Sequence, residues 1–374
     1  SVSYRLQTPH PPGVPIYILI ARLFSLIASD KEQVAFWVNM VSVVSSAATI
    51  LFMFWTTSFI GRKILQIAHK VEPTRIQTYL ILSASLVGSL VFTFSDSFWF
   101  NAGEAEVYAM SMFFSAFVYW AMLKWESVAD EEDADKWLLL TAYMIGLSLG
   151  VHILNLVMIP GLALIYYFRK FKPTILGGIG ALLISIIGLG VVLEVMYYGF
   201  ATMSKWLDFW LVNSFGMGVN SGMYLFLFII TLAFLGGIIY SIKAKKYYLN
   251  LSILSGFFIV LGYLSYAEIV IRSNANPPID ENDPENAYNL EKYLRRDQYG
   301  SVPLVSGPQF GFHFQSVNDP YGLGGLSRKK RDAKIESWKK PLYMVKDDQW
   351  VIYDYRLRPE YSKKVNSFLP RMPH

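Results

Sequence analysis

The chain has 374 residues, of which 53% are hydrophobic and 16% are charged, and its mean hydropathy is +0.35. Soluble domains contain about 25% charged residues, so this composition argues against a water-soluble protein. The chain contains no Cys, which excludes thiolate nucleophiles, Cys-based metal sites and disulfides within it. The net charge of +5 resides mainly in short loops between apolar segments, a distribution typical of membrane proteins and not of nucleic-acid-binding proteins.

The first apolar segment, residues 13–29, follows a proline-rich stretch and carries Arg22 in its middle. Because a long Arg side chain can reach the headgroup region, the pattern predicts an interfacial or re-entrant helix on the outer side of the membrane. This helix would belong to an outer interfacial segment, residues 1–33. A short spanning helix is the alternative reading of the same residues.

Eight later stretches are apolar over a length that approaches the roughly 20 residues needed to cross about 30 Å of hydrocarbon. They cover residues 34–60, 76–95, 107–123, 137–151, 153–168, 175–198, 223–242 and 248–270. The sequence therefore predicts an α-helical polytopic membrane protein with about eight transmembrane helices. Interfacial helices would add to these, one of them in the Trp-containing loop 199–222.

The loops between these stretches differ sharply in basic residues. One alternate set of short loops contains twelve Lys and Arg residues, whereas the opposite set contains Lys205 alone. Since cytoplasmic loops carry the excess of Lys and Arg, the poor set is predicted to face away from the cytoplasm. That side would hold the loop 96–106, the break near His152 and everything after Arg272.

Residues 272–374 hold nearly half of the charged residues and form the predicted second domain, after a transmembrane domain over residues 1–271. Asn-Pro turns begin this region, and a helical period follows over Glu285–Asp297. Strands are predicted at Val302–Val305 and Gln349–Tyr355, and a solvated loop at Arg328–Arg331. The expected result is a small extracytoplasmic α/β region, truncated at its C-terminus.

Two carboxylates, Glu104 and Glu106, lie in the predicted outer loop 96–106 and its junction with the next helix. They are candidate acid/base groups, metal ligands or anchors for an acceptor. At i and i+2 they cannot share a helix face, so one of them at most should enter a given cavity. The competing interpretation is an acidic loop whose carboxylates stabilise a helix N-terminus.

Polar residues also follow the last span, where Arg272 precedes Asn274 and Asn276. A guanidinium with nearby amide donors suits a phosphate group, although Arg272 could equally be an interfacial Arg beside an Asn-Pro turn. His152 is either a hydrogen-bonded packing residue or a ligand-binding residue. His10 has no second His at a metal-binding spacing, which argues against a zinc site.

Four runs of the sequence closely resemble bacterial protein O-mannosyltransferase-like membrane proteins of the GT-C glycosyltransferase superfamily. They are RLQTPHPPGVPIYILIARLFS, FSDSFWFNAGEAEVYAMS, GLSLGVHILNLVMIPGLALIYYF and IRSNANPPIDENDPENAYNLEKYLRRDQYG. The family includes a eukaryotic enzyme that O-mannosylates plexin-type ectodomains. The resemblance covers residues 1 to about 310 and is weaker beyond.

The resemblance implies a GT-C-like membrane enzyme that moves a hexose, mannose or a relative, from a polyprenyl-phosphate carrier to Ser or Thr hydroxyls of exported proteins. Its partners would be this lipid-linked donor, the acceptor protein and membrane lipids, at the extracytoplasmic face of the bacterial inner membrane. In this family an acidic motif precedes the counterpart of Ser1, so the main catalytic acid is expected upstream. Glu104 or Glu106 would be the second acidic position.

The resemblance further implies donor-binding roles for His10, His152, Arg272, Asn274 and Asn276, and leaves open a need for Mg²⁺ or Mn²⁺. Two other classes of protein remain alternatives. A transporter or flippase of lipid-linked glycans would use the same polar groups for binding, but alternating access favours a midplane site and repeats that this sequence does not display. A non-catalytic subunit of an envelope complex is the other alternative.

Overall fold

The computed structural model describes residues 2–69, 72–300, 306–308, 327–357 and 366–368, and most of these residues are helical. The α-helices are α1 (Val2–Arg5), α2 (Pro15–Ser25), α3 (Val34–His69), α4 (Arg75–Thr93), α5 (Asp96–Ala102), α6 (Val107–Val128), α7 (Asp135–Leu149), α8 (Ile159–Lys170), α9 (Ile175–Val191), α10 (Gly199–Phe215), α11 (Ser221–Lys243), α12 (Tyr247–Tyr263), α13 (Ala267–Ser273), α14 (Ala287–Leu294) and α15 (Arg328–Trp338). The strands are β1 (Ser306–Pro308), β2 (Lys339–Lys346), β3 (Gln349–Leu357) and β4 (Asn366–Phe368).

Seven helical stretches in the described part of the chain are long and apolar enough to cross a membrane. They cover Val34–Ala68, Arg75–Thr93, Val107–Val128, Ile153–Lys170, Ile175–Phe215, Ser221–Lys243 and Tyr247–Ser273. Seven of the eight predicted spans correspond to them. The remaining one is α7, whose 15 residues extend about 22 Å and fall short of the hydrocarbon thickness. The predicted fold class, a polytopic helical membrane protein, is confirmed.

Glycines allow α7 and α12 to pack closely against each other. A Cβ atom on Gly146 of α7 would lie 2.2 Å from the Ile259 carbonyl oxygen, and one on Gly262 of α12 would lie 2.4 Å from the Leu147 nitrogen. Only residues without a side chain permit this approach, as is common where membrane helices meet. α7 thereby joins the main core, which contains the fully buried Trp125.

The helix predicted at the outer interface is α2, which has 11 residues and extends about 16 Å. This is about half the thickness of the hydrocarbon, so α2 is too short to cross it alone. Its buried residues Tyr17 and Ala21 pack with Val41 of α3 and Met110 of α6. The guanidinium of Arg22 lies over the Tyr4 ring, 5.0 Å from its centroid. The interfacial placement itself stays a prediction.

The hairpin formed by β2 and β3 docks on α10. The indole nitrogen of Trp350 donates a hydrogen bond of 2.9 Å to the buried carboxylate of Asp208. The side chain of Asn213 bonds both the N–H and the C=O of Trp350, at 2.8 and 2.9 Å. Phe209 and Tyr288 complete this small core. The hairpin therefore shares its core with a helix of the membrane domain.

The structure can be compared with the secondary-structure elements predicted after residue 272. The strand predicted at Gln349–Tyr355 is confirmed as β3, and the helix predicted over Glu285–Asp297 is the shorter α14. The loop predicted at Arg328–Arg331 is wrong, because these residues begin α15. A run of like charges is typical of a solvated loop, and the prediction rested on that pattern. Arg and Lys also have high intrinsic helix propensity, which favours the helix observed here. The strand predicted at Val302–Val305 lies outside the described residues.

Candidate active site

A cavity of about 720 Å³ opens beside the first turn of α6. Its walls come from residues 9–14 before α2, residues 105–108 at the start of α6 and residues 151–154 after α7, and Arg296 lines it as well. This volume falls within the range of small-molecule binding sites. The lining combines a carboxylate, two imidazoles and a guanidinium, which makes the cavity the candidate active site.

A larger cavity of about 960 Å³ lies among α7, α8, α9 and α12. Its lining consists of apolar side chains, glycines, hydroxyl-bearing residues and tyrosines. None of the residues that line it is Asp, Glu, His, Lys or Arg. This cavity therefore offers no group that could exchange a proton or bind an anion by charge near neutral pH.

The loop that carries His10 is held in place by α14. The hydroxyl of Tyr293 donates a hydrogen bond of 2.7 Å to the Pro9 carbonyl, and a cis peptide bond joins Pro11 to Pro12. Gly13 has φ +74°, and a Cβ atom there would lie 2.7 Å from the Tyr293 hydroxyl. Glycine is needed at this position both for its backbone conformation and for space. The loop presents an exposed His10 at the cavity.

Glu106 is the N-cap residue of α6, but its side chain makes no capping hydrogen bond. The hydroxyl of Ser42 in α3 donates a hydrogen bond of 3.4 Å to the backbone carbonyl of Glu106. Glu106 is exposed and lines the cavity, whereas Glu104 is equally exposed and does not line it. Of the two predicted carboxylates, the structure thus brings one into the cavity.

His152 caps the 3-10 helix Ile153–Met158 that leads into α8. Its Nδ1 accepts a hydrogen bond of 3.2 Å from the backbone N–H of Leu154, and its ring lies 5.6 Å from the ring of Tyr108. Because Nδ1 is an acceptor, the proton of the neutral imidazole lies on Nε2. His152 therefore has both a structural hydrogen bond and a free donor atom.

Arg296 follows α14 and has φ +55°, a left-handed conformation. Its guanidinium lies 4.9 Å from the ring centroid of Tyr299. No ion pair or side-chain hydrogen bond of Arg296 occurs within the part of the chain that the structure describes, and the residue is exposed. The guanidinium is thus available to a ligand in the cavity.

The charged groups of the cavity affect two of its titratable side chains. Burial, together with the charge of Glu106, raises the pKa of the Tyr17 hydroxyl to about 12. Burial, together with the charge of Arg296, lowers the pKa of His152 below its ordinary value. Tyr17 and His152 therefore respond to different charged neighbours. The lowered pKa of His152 favours the neutral imidazole at pH 7.

The other predicted donor-binding residues lie outside the lining of this cavity. Arg272 donates hydrogen bonds to the carbonyls of Leu6 at 2.6 Å and Arg5 at 3.2 Å. Asn274 donates to the carbonyls of Val270 and Glu285, and Asn276 is exposed. Their donor-binding role stays a prediction.

A metal site finds no support in the arrangement of side chains. Among the described residues, no group of three or more His, Asp or Glu side chains is arranged to hold a metal ion. His10, Glu106 and His152 share the cavity without forming such a group.

Two cavity residues were not among the predicted site residues. Arg296 is one of two adjacent arginines at the end of α14, and nothing in the sequence distinguishes it from Arg295. Tyr108 lies two residues after Glu106 in the same run of the sequence. Whether Arg296 and Tyr108 line the cavity depends on tertiary contacts, which local sequence patterns do not encode.

The fold and this cavity define a multi-pass membrane protein with a polar site at one end of its helices. Residues 1–175 match the family model described as the Protein O-mannosyl-transferase TMEM260 N-terminal domain. The match supports an O-mannosyltransferase-like family and includes the first three runs that carry the resemblance in the sequence. No curated protein and no solved structure matches the chain.

Proposed function

We propose that this protein is a membrane glycosyltransferase that moves a hexose, mannose by the family description, from a polyprenyl-phosphate carrier to Ser or Thr hydroxyls of exported proteins. The observation that carries this proposal is the cavity whose lining combines Glu106 with Arg296 and His152. The family match over residues 1–175 supports the same activity.

The acidic and the cationic groups of the cavity suit the acceptor hydroxyl and the leaving phosphate of such a transfer. The acceptor hydroxyl oxygen forms a bond to the anomeric carbon, and the bond from that carbon to the phosphate oxygen breaks. The acceptor proton goes to a carboxylate, and the phosphate leaves as an anion. Glu106 accepts a hydrogen bond from the reacting hydroxyl and helps to take its proton. The cationic and N–H donors of the cavity stabilise the leaving phosphate.

The distribution of basic residues supports an extracytoplasmic site. The cavity lies at the ends of α6 and α7 that join the loops poor in Lys and Arg. The positive-inside rule assigns these ends to the outer face, where a lipid-linked donor can arrive laterally and an exported protein can approach from solvent. We place the protein in the bacterial cytoplasmic membrane on this basis and on that of the resemblance.

The product of the reaction tests the proposal directly. The full-length protein in liposomes, given polyprenyl-phosphate mannose and a Ser-containing peptide, should yield a peptide with one hexose on the Ser hydroxyl, detected by mass spectrometry. The same peptide with Ala in place of Ser should remain unmodified. Movement of the lipid-linked sugar across the bilayer without a glycopeptide would favour a transporter, and neither activity would favour a non-catalytic subunit. Either result would overturn the proposal.

A further inference from the structure

Two arginines could bind an anionic ligand near the candidate active site, and the structure distinguishes them. The Nε and Nη2 atoms of Arg272 donate to backbone carbonyls of residues 5 and 6, which lie more than 260 positions earlier in the chain. Arg272 is therefore engaged in fixing the N-terminal segment. Arg296 lines the cavity, and the N–H groups of its guanidinium have no protein acceptor among the described residues.

The backbone at Arg296 adopts a conformation that is uncommon for residues other than glycine. Its N–H donates to the Tyr293 carbonyl at 3.1 Å, and its left-handed conformation ends α14. Glycine is the ordinary residue at such a helix end, because any other side chain is strained there. Lys245 has a similar left-handed conformation outside the cavity, so the observation that points to a role for Arg296 is the position of its side chain at the cavity. The contact with Tyr299 engages one face of the guanidinium and leaves its N–H edges available.

His152 supplies a second donor on the same side. The hydrogen bond from Leu154 to Nδ1 fixes the ring and leaves the Nε2 proton free to donate. The imidazole and the guanidinium line the same cavity and are close enough for the charge of Arg296 to affect His152.

We propose that the Arg296 guanidinium and the Nε2 proton of His152 bind the phosphate group of the donor. This inference deepens the proposed function and rests on it for the identity of the ligand. The guanidinium fork bonds the two non-bridging oxygens of the donor phosphate, and the imidazole bonds the oxygen that joins phosphorus to the sugar and becomes the third terminal oxygen when the sugar leaves. Arg272 supports the site indirectly, since it holds the segment that carries His10.

Affinity for polyprenyl phosphate, measured on the full-length protein in nanodiscs, tests this assignment. Arg296→Gly removes the charge and relieves the left-handed strain, so the fold should be retained while affinity falls about ten- to a hundredfold. Lys245→Gly is the matched control, because Lys245 is also an exposed basic residue with a positive φ at a helix end, and it does not line the cavity. This control should bind as tightly as the wild type.

His152→Asn tests the second donor separately. The Asn side-chain oxygen can accept the Leu154 N–H as Nδ1 does, whereas the Nε2 donor is lost. The affinity should fall about tenfold, with unchanged thermal unfolding. Inorganic phosphate should displace polyprenyl phosphate from the wild type, and should do so less effectively in Arg296→Gly. Such competition would separate recognition of the phosphate from recognition of the lipid chain.

Equal affinity of the wild type and folded Arg296→Gly for polyprenyl phosphate would overturn the inference, even if the wild type transfers mannose. Loss of binding in Arg296→Gly in a protein that transfers no sugar would uphold the phosphate site and refute the proposed function. Failure of the wild type to bind polyprenyl phosphate would refute the phosphate site outright. The two proposals can therefore fail independently.

Discussion

Replacing Lys205 by Met should destabilise the protein by about 1.5 to 3 kcal/mol. Lys205 of α10 forms an ion pair with Glu291 of α14, with 2.5 Å between Nζ and Oε2 and side chains only 12% and 13% exposed. The variant would remove the shorter of two cationic contacts from the buried carboxylate, which keeps a hydrogen bond from Arg295 Nε at 3.3 Å and one from the Thr202 hydroxyl. The free energy of unfolding, measured by chemical denaturation in detergent, is the quantity to compare.

The pair also predicts an acid-sensitive contribution to stability. Burial raises the pKa of Glu291, but hydrogen bonds from Lys205 and Thr202 outweigh burial, and the net effect lowers this pKa. The stabilisation is therefore present at neutral pH and is lost as the pH falls through the lowered value. A second replacement, Glu291→Met in the Lys205→Met background, should recover most of the loss. Arg62→Met breaks a solvent-exposed pair and should change little. A small effect of Lys205→Met would show that this pair does not hold α14 against α10.

Glu106→Gln should reduce sugar transfer about a hundred- to ten-thousandfold, the usual contribution of an acid/base group. Gln keeps the shape and the hydrogen-bonding capacity of the side chain but cannot take a proton. Glu104→Gln is the matched control, because Glu104 is two residues away, equally exposed and outside the cavity lining. It should retain nearly full activity.

The rate of glycopeptide formation at saturating donor distinguishes these variants. Affinity for the donor should change little in either variant, since the phosphate is assigned to Arg296 and His152. Equal losses in Glu104→Gln and Glu106→Gln would indicate a general effect of charge in this loop. Full activity in Glu106→Gln would remove the carboxylate from the proposed reaction.

The spans could be predicted because hydropathy and the length of an apolar run depend only on local sequence. The exact lengths could not, and α7 shows why. Its apolar run continues past His152 into the next predicted span, and the break between them arises from the cap at His152 and the packing of Gly146 on α12. The docking of Trp350 on Asp208 is likewise a long-range contact that joins two separately predicted regions.

The candidate site was predicted in part for a similar reason. The count of basic residues assigned the stretches with His10, Glu106 and His152 to one side of the membrane, and the structure brings these three residues into one cavity. Arg272 and Arg296 have similar sequence surroundings, each at the end of a helix. What separates them is the backbone of residues 5 and 6, which engages Arg272 alone.

Protection of a single cysteine by the donor tests most directly whether this cavity is the site of sugar transfer. The chain has no Cys of its own, so Ala105→Cys would place one thiol in the cavity lining and Glu104→Cys would place one beside it. Polyprenyl-phosphate mannose should slow the modification of Ala105→Cys by a thiol reagent severalfold and leave Glu104→Cys unchanged. Equal modification rates of Ala105→Cys with and without saturating donor would contradict the assignment of the cavity.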